Sequence, residues 1–185
     1  MNHVIRPIRT GEWAAVKELR LTALQDPAAP LAFLETYEDA VGRSDAYWQE
    51  RTDGAAEGQT ERQQFVAEGP DGVWAGSVTV LVEKAGAQEP FGGVVERDQA
   101  HVVGVFVRVG QRGSGLIGAL LDAALEWSWE RGLERVRLYV HERNPRAEAA
   151  YRKAGFVPSG GTAAVPGNSD DRELELVIER PSGML

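Results

Sequence analysis

The chain has no cysteine, two methionines and three histidines that stand apart from one another. Without a thiol there is neither a disulfide framework nor a cysteine acyl-enzyme, and the isolated histidines show no metal-ligand spacing. An 18-residue apolar run is missing, as is an apolar stretch in the opening MNHVIRPIR. The expectation is therefore a soluble, cytoplasmic protein with no membrane partner. Basic stripes are missing too. A formal net charge of −8 repels phosphate backbones, which argues against nucleic acid as a partner and mildly favours a cationic small molecule. There are no repeats and no linker, and 185 residues suit a single domain over 1–185.

What is present gathers between Ala100 and Phe156. Val102 to Val109 is a β-branched and aromatic run bounded by Gly110, which reads as a buried strand. A glycine-rich turn follows. From Leu116 the period changes, with Leu120, Ala123, Ala124 and Trp127 at helical spacing, and Gly132 closes that helix. Arg135 to His141 is a second strand. The next helix has Asn144 as N-cap, Pro145 at its first position and Gly155 just past its end.

Such a turn suits an anion. Gly113 and Gly115 carry no side chain to block a ligand, so backbone N–H groups can face phosphate oxygens while the helix N-terminus adds its positive end and Arg112 a mobile cation. Gly113, Gly115 and Gly118 also satisfy GxGxxG, with Glu142 near the place of a ribose-binding acid. That leaves an NAD(P)-binding oxidoreductase as one reading, although few residues follow for a doubly wound sheet. A Walker A site is excluded, because no Lys-Ser or Lys-Thr follows the glycines.

A longer pattern makes the oxidoreductase the less favoured of these readings. VFVRVGQRGSGLIGALL followed by NPRAEAAYRKAGF resembles the acetyl-coenzyme A binding core of the GNAT superfamily of N-acetyltransferases. Arg112 and Gly113 match its Arg-Gly pair, Gly115 its second glycine, and Asn144, Ala147, Tyr151, Gly155 and Phe156 its closing helix. Two positions depart. Gly110 stands where Gln or Arg is usual, and Ile117 where a third glycine is frequent.

The resemblance implies an α/β (α+β) fold, with a mixed central sheet of about seven strands, helices on both faces, and the coenzyme at a splay between two central parallel strands. It implies acetyl-CoA as co-substrate, held by Val105, Phe106, Val107, Gln111, Arg112, Gly113, Ser114, Gly115, Leu116, Ile117, Gly118 and Asn144. A backbone N–H around Phe106 and Val107 would face the thioester oxygen. Asn144 and Tyr151 lie seven residues apart, nearly two turns, so both share a helix face. The resemblance makes Tyr151 the general acid to the leaving thiolate, and a phenol of ordinary pKa about 10 is protonated at neutrality. With no cysteine, acetyl transfer to an amine would be direct.

His101 lies about where histone-type members carry a catalytic Glu, with the parity of Val103, Val105 and Val107, and is the candidate base. Glu142 and Glu96 are outside candidates. Tyr139 stands where members acting on protein N-termini often use Glu. The acceptor is a small amine or a protein N-terminus or lysine, and assembly as a homodimer is left open. A non-catalytic acyl-CoA-binding or sensing domain on the same fold is the alternative function.

The flanks read more plainly. His3 to Arg9 alternates as a strand, and Thr10 caps a helix to about Gln25 that buries Trp13, Val16, Leu19 and Ala23, with Arg20 near the stripe. Ser44 caps a further short helix. In the family this region overhangs the acyl site, making Glu35, Tyr37 and Trp48 candidate substrate contacts. Gln64 to Glu68 and Val73 to Glu83 read as an antiparallel pair through Pro70-Asp71-Gly72. Lys84 to Gln99 and Gly160 to Asp171 read as exposed loops, and Arg172 to Glu179 as a half-buried strand.

Overall fold

The structure is a computed structural model and describes residues 2–183. Seven strands form one mixed sheet: β1 (Val4–Pro7), β2 (Arg62–Glu68), β3 (Trp74–Glu83), β4 (Gln99–Val107), β5 (Arg135–His141), β6 (Val157–Val165) and β7 (Asn168–Glu179). They lie in the order β1-β2-β3-β4-β5-β7-β6. Only β4 and β5 run parallel. A doubly wound dinucleotide fold needs further parallel strands beyond β5, and here β5 pairs with an antiparallel hairpin instead.

Strand alternation sends two sets of apolar residues to opposite faces. On one face Phe65, Ala67, Val78, Val80, Val102 and Val136 meet α5 (Leu116–Glu130), whose Leu120 and Leu121 are fully buried. Burying one such leucine stabilises by about 1.5–3 kcal/mol. α6 (Pro145–Lys153) packs beside it through Ala147, Tyr151 and Ala154. On the other face Val66 and Phe106 meet α1 (Trp13–Leu24) and α4 (Asp45–Asp53), joined by the short helices α2 (Ala29–Ala32) and α3 (Tyr37–Val41).

Three sequence expectations are corrected. Thr10 does not cap α1. Gly11 turns the chain at φ +89° and Glu12 is the N-cap, with its carboxylate engaged by Arg6 at 2.7 Å and by the Arg9 N–H at 2.8 Å. The small residues from Gly160 to Asp171 are not a loop but the hairpin of β6 and β7, turning at Pro166-Gly167. β6 and the first residues of β7 are exposed, so no apolar alternation marks them. The Lys84–Gln99 segment is only partly exposed: Val95 is buried, and Phe91 meets Tyr139 edge-on at 4.8 Å.

Candidate active site

Between β4 and β5 the ladder holds only at Ala100–Val136 and His101–Arg137. Beyond those pairs the strands part. The cause lies in β4, where Ser77 faces Phe106 but Thr79 faces Val103, so Gly104 and Val105 together oppose Val78. Gly104 sits at φ +61°, which glycine adopts without strain, and the resulting bulge bends the strand away from its neighbour.

The bulge also resets which groups face the gap. Arg108 N–H donates to Ala75 O at 2.8 Å, so the alternating ladder turns the Phe106 N–H toward β3 and leaves those of Val107 and Val105 toward the opening. Of the two donors expected around Phe106 and Val107, only Val107 is therefore free. Side-chain parity changes as well. His101, Val103 and Phe106 share one face, whereas Val105 and Val107 join Val102 on the α5 face. His101 thus does not share the parity of Val105 and Val107.

At the end of β4 a single 3-10 turn, Val109–Gln111, leads into the glycines. Gly113 at φ +77° and Gly115 at φ +84° hold the left-handed conformation, and a Cβ on Gly113, Gly115 or Gly118 would meet open space. Among the described residues the N–H groups from Gly113 to Gly118 have no protein acceptor, as expected where a helix begins. Leu116 anchors α5 in the core, and Ser114 Oγ donates to Gln111 O. Arg112 is not a mobile cation. Its Nη2 lies 2.6 Å from Asp26 and its Nε donates to Val107 O at 2.8 Å, so it ties the turn to the end of α1. The diphosphate of a coenzyme fits this row of open N–H groups.

The gap opens into a cavity of about 890 Å³ whose wall includes Val105, Val107, Arg112, Ile117, Asn144 and Tyr151. Asn144 and Tyr151 both reach it, as their seven-residue spacing requires. Asn144 Oδ1 caps α6 by accepting from Ala147 N–H at 3.3 Å. Tyr151 is half-buried, and its hydroxyl has no protein partner among the described residues. Burial, and then the negative charge of Glu173, push its pKa well above the ordinary phenol value. It stays protonated throughout the neutral range.

Across the gap the sheet face is polar. Buried His101 lines the cavity with Nδ1 3.5 Å from Glu83 and its ring 5.7 Å from that of Tyr139. Arg137, 1% exposed, binds Glu83 at 2.8 Å, Glu175 at 3.0 Å and Glu89 at 3.3 Å. Burial alone would raise the Glu83 carboxyl, but His101 and Arg137 outweigh it and hold it at about 2. Sequence reasoning missed this cluster, although a charged residue in the middle of a central strand was its visible signal. Glycine inside a β-branched run likewise announced the bulge.

The other candidates scatter. Glu35 lines the cavity, but its Oε2 accepts both Nε and Nη2 of Arg20 at 3.1 and 3.0 Å. Trp48 is fully buried among α1 residues, and Tyr37 packs on the same core without reaching the cavity. Glu142 accepts from Arg172 N–H at the β5–β7 edge, and Glu96 is exposed. Neither lines the cavity.

The model of the Acetyltransferase (GNAT) family matches residues 19–156, well over half of the chain. The chain belongs to the GNAT acetyltransferase family. A curated relative, mycothiol acetyltransferase of Beutenbergia cavernae, is 45% identical over 60 residues. The match spans 32% of this chain and only 20% of that protein's length. Among solved structures, the GNAT domain of S. lividans PAT superposes with a TM-score of 0.69 at 20% identity, covering 95% of this chain and 90% of that one. A Salmonella typhimurium protein solved with its cofactor acetyl-CoA gives 0.68 at 16% identity over 100% and 98%. At such identities the likeness establishes the GNAT fold alone. The family's acyl donor is acetyl-CoA, and the open N–H row and cavity of this GNAT chain have the chemistry to receive it.

Proposed function

We propose that this acetyltransferase moves acetyl from acetyl-CoA directly to an amine, with Tyr151 as general acid. Bound acetyl-CoA would supply the activated acetyl group as a thioester. The N–H groups of Gly113 to Gly118 bind its diphosphate at the positive end of α5, where an anion is favoured. Val107 N–H faces the acyl oxygen, a backbone donor of the kind worth several kcal/mol in acyl transfer. Tyr151 Oη donates its proton to the departing sulfur. His101 is the candidate base: with Nδ1–H directed at Glu83, Nε2 is left to accept a proton from the amine.

The observation that carries this reading is Tyr151, a protonated, half-buried phenol whose hydroxyl has no protein partner and lies in the wall of the β4–β5 opening. The likeness to mycothiol acetyltransferase supports acetyl transfer, and at 60 matched residues it does not carry that protein's acceptor over to this chain. The test is release of free thiol from acetyl-CoA across a broad amine panel, beside melting temperatures with acetyl-CoA and with NAD(P). Thiol release with at least one amine supports the transferase. A rise in melting temperature with acetyl-CoA but silence with every amine would favour the non-catalytic acyl-CoA sensor.

A further inference from the structure

One part of the cavity wall comes from α1, α4 and the start of β2. Its charge is opposite in sign to that of the whole chain. Three guanidiniums converge on one carboxylate: Arg20 at 3.0 Å, Arg43 at 3.5 Å and Arg51 at 4.0 Å from Glu35. Arg62, exposed at the start of β2, lines the same cavity on the sheet face that carries Gln64 and has no ion pair among the described residues. One carboxylate cannot balance these cations, and Glu35 has little left to offer a substrate. Its Oε2 serves Arg20, and its Oε1 is sealed from solvent.

The cations are also braced in advance. Arg20 stacks on Phe33 at 4.6 Å, and Arg51 lies over Trp48 at 5.5 Å while its Nη1 donates to Tyr47 Oη at 3.3 Å. Arg20 Nη1 and Arg51 Nη2 have no acceptor among the described residues. Burial, and then the charge of Arg51, depress the Arg20 pKa. A bound anion would offset both effects. The floor between these arginines and the bulge is neutral, made by Gln64 and Thr79.

We infer that this part of the wall is a carboxylate-binding subsite, so that the acceptor is an amine bearing a carboxylate, such as an α-amino acid. The inference rests on the acetyltransferase reading and narrows its substrate class. The open nitrogens, Arg20 Nη1 and Arg51 Nη2, are charged donors on separate guanidiniums, and a carboxylate answers their charge where a carboxamide or a bare alkylamine brings none. The overall charge of −8 therefore misleads about the acceptor.

The experiment measures thiol release from acetyl-CoA with a set of α-amino acids, each beside its carboxamide and its decarboxylated amine, with spermidine as a cationic comparator. The expected result is a best acceptor with a carboxylate, preferred over its own carboxamide by about tenfold or more in kcat/KM. Arg51→Gln, and separately Arg62→Gln, should shrink that preference severalfold and leave the KM for acetyl-CoA unchanged. Arg62 is exposed, so its variant keeps the test sound should Arg51→Gln fail to fold. Preference for spermidine or the carboxamides overturns the inference and leaves the transferase standing. A rise in the acetyl-CoA KM in both variants also overturns it, by assigning the arginines to the donor's phosphates. Silence across the whole panel overturns the amine-acceptor reading and this one with it.

Discussion

The two sides of the β4–β5 opening are built from different materials. On the proposed donor side the open polar groups are mainly backbone, the N–H row of Gly113 to Gly118 and the Val107 N–H beyond the bulge, beside a capped helix that carries one phenol. On the proposed acceptor side the wall is made of side chains, His101 and Glu83 resting on the buried Arg137, with Arg20 and Arg51 gathered at Glu35. Backbone donors are insensitive to most substitutions as long as the turn keeps its shape. Charged clusters depend on every member, because removing one leaves its partner buried and unpaired.

The largest effect is therefore expected on the acceptor side. Arg137→Ala leaves Glu83 and Glu175 without their shared cation, and breaking a buried pair in this way costs about 3–5 kcal/mol, read as a lower midpoint in urea or heat. The same cluster sets the acid limit of the fold. Glu83 is held ionised down to about 2, whereas the unfolded chain protonates it near its ordinary value of 4.5. Its contribution is complete above about pH 4.5 and drains away as pH falls toward 2. Melting temperature followed from pH 6 to pH 3 should fall more steeply in the native protein than in a Glu83→Gln variant. Equal slopes would show that the cluster is not the acid-sensitive element.

Next comes the phenol on the proposed donor side. Tyr151→Phe keeps the ring against Phe156 and removes only the proton donor, so kcat should drop by about 10²-fold or more while the KM for acetyl-CoA moves little. Parallel losses in both constants would make Tyr151 a packing residue. The contrast with Arg137 would then be one of burial and not of chemistry.

The donor side was also the readable side. Strand, turn, helix, strand and capped helix from β4 to α6 follow from local signals: glycine where φ is positive, Asn-Pro at a helix start, and a change of hydrophobic period. β5 keeps its expected bounds of Arg135 and His141. Asn144 and Tyr151 reach one cavity because helical spacing alone puts them there. The acceptor side depends on contacts between residues far apart in the chain. Arg137 stood out as a charge inside a strand, but it meets Glu83 only after the sheet forms, so no local pattern marks the pairing. Trp48 shows the converse: an aromatic near the acyl site was a fair contact candidate, but α4 turns it into the core. Arg20 looked like a blemish on an apolar stripe, and it is the buried cation of the Glu35 cluster.

A third, smaller effect tests the turn itself. At Gly115, φ is +84°, and an L residue there carries left-handed strain of about 1–2 kcal/mol, so Gly115→Ala should lower the melting temperature modestly and raise the KM for acetyl-CoA.

The smallest effect separates stability from binding. Gly118 stands in the first turn of α5 with ordinary helical φ, and a methyl placed there meets nothing in the protein. Alanine is the better helix former, so Gly118→Ala should stabilise the fold by about 0.5–1 kcal/mol. If the N–H row from Gly113 to Gly118 holds a diphosphate, the same methyl stands beside the ligand and the KM for acetyl-CoA should rise about two- to fivefold even as the melting temperature increases. Opposite signs in the two measurements cannot come from a weakened fold. A more stable protein with unchanged KM would confine the cradle to Gly113 to Ile117 and leave Gly118 as an ordinary helical residue.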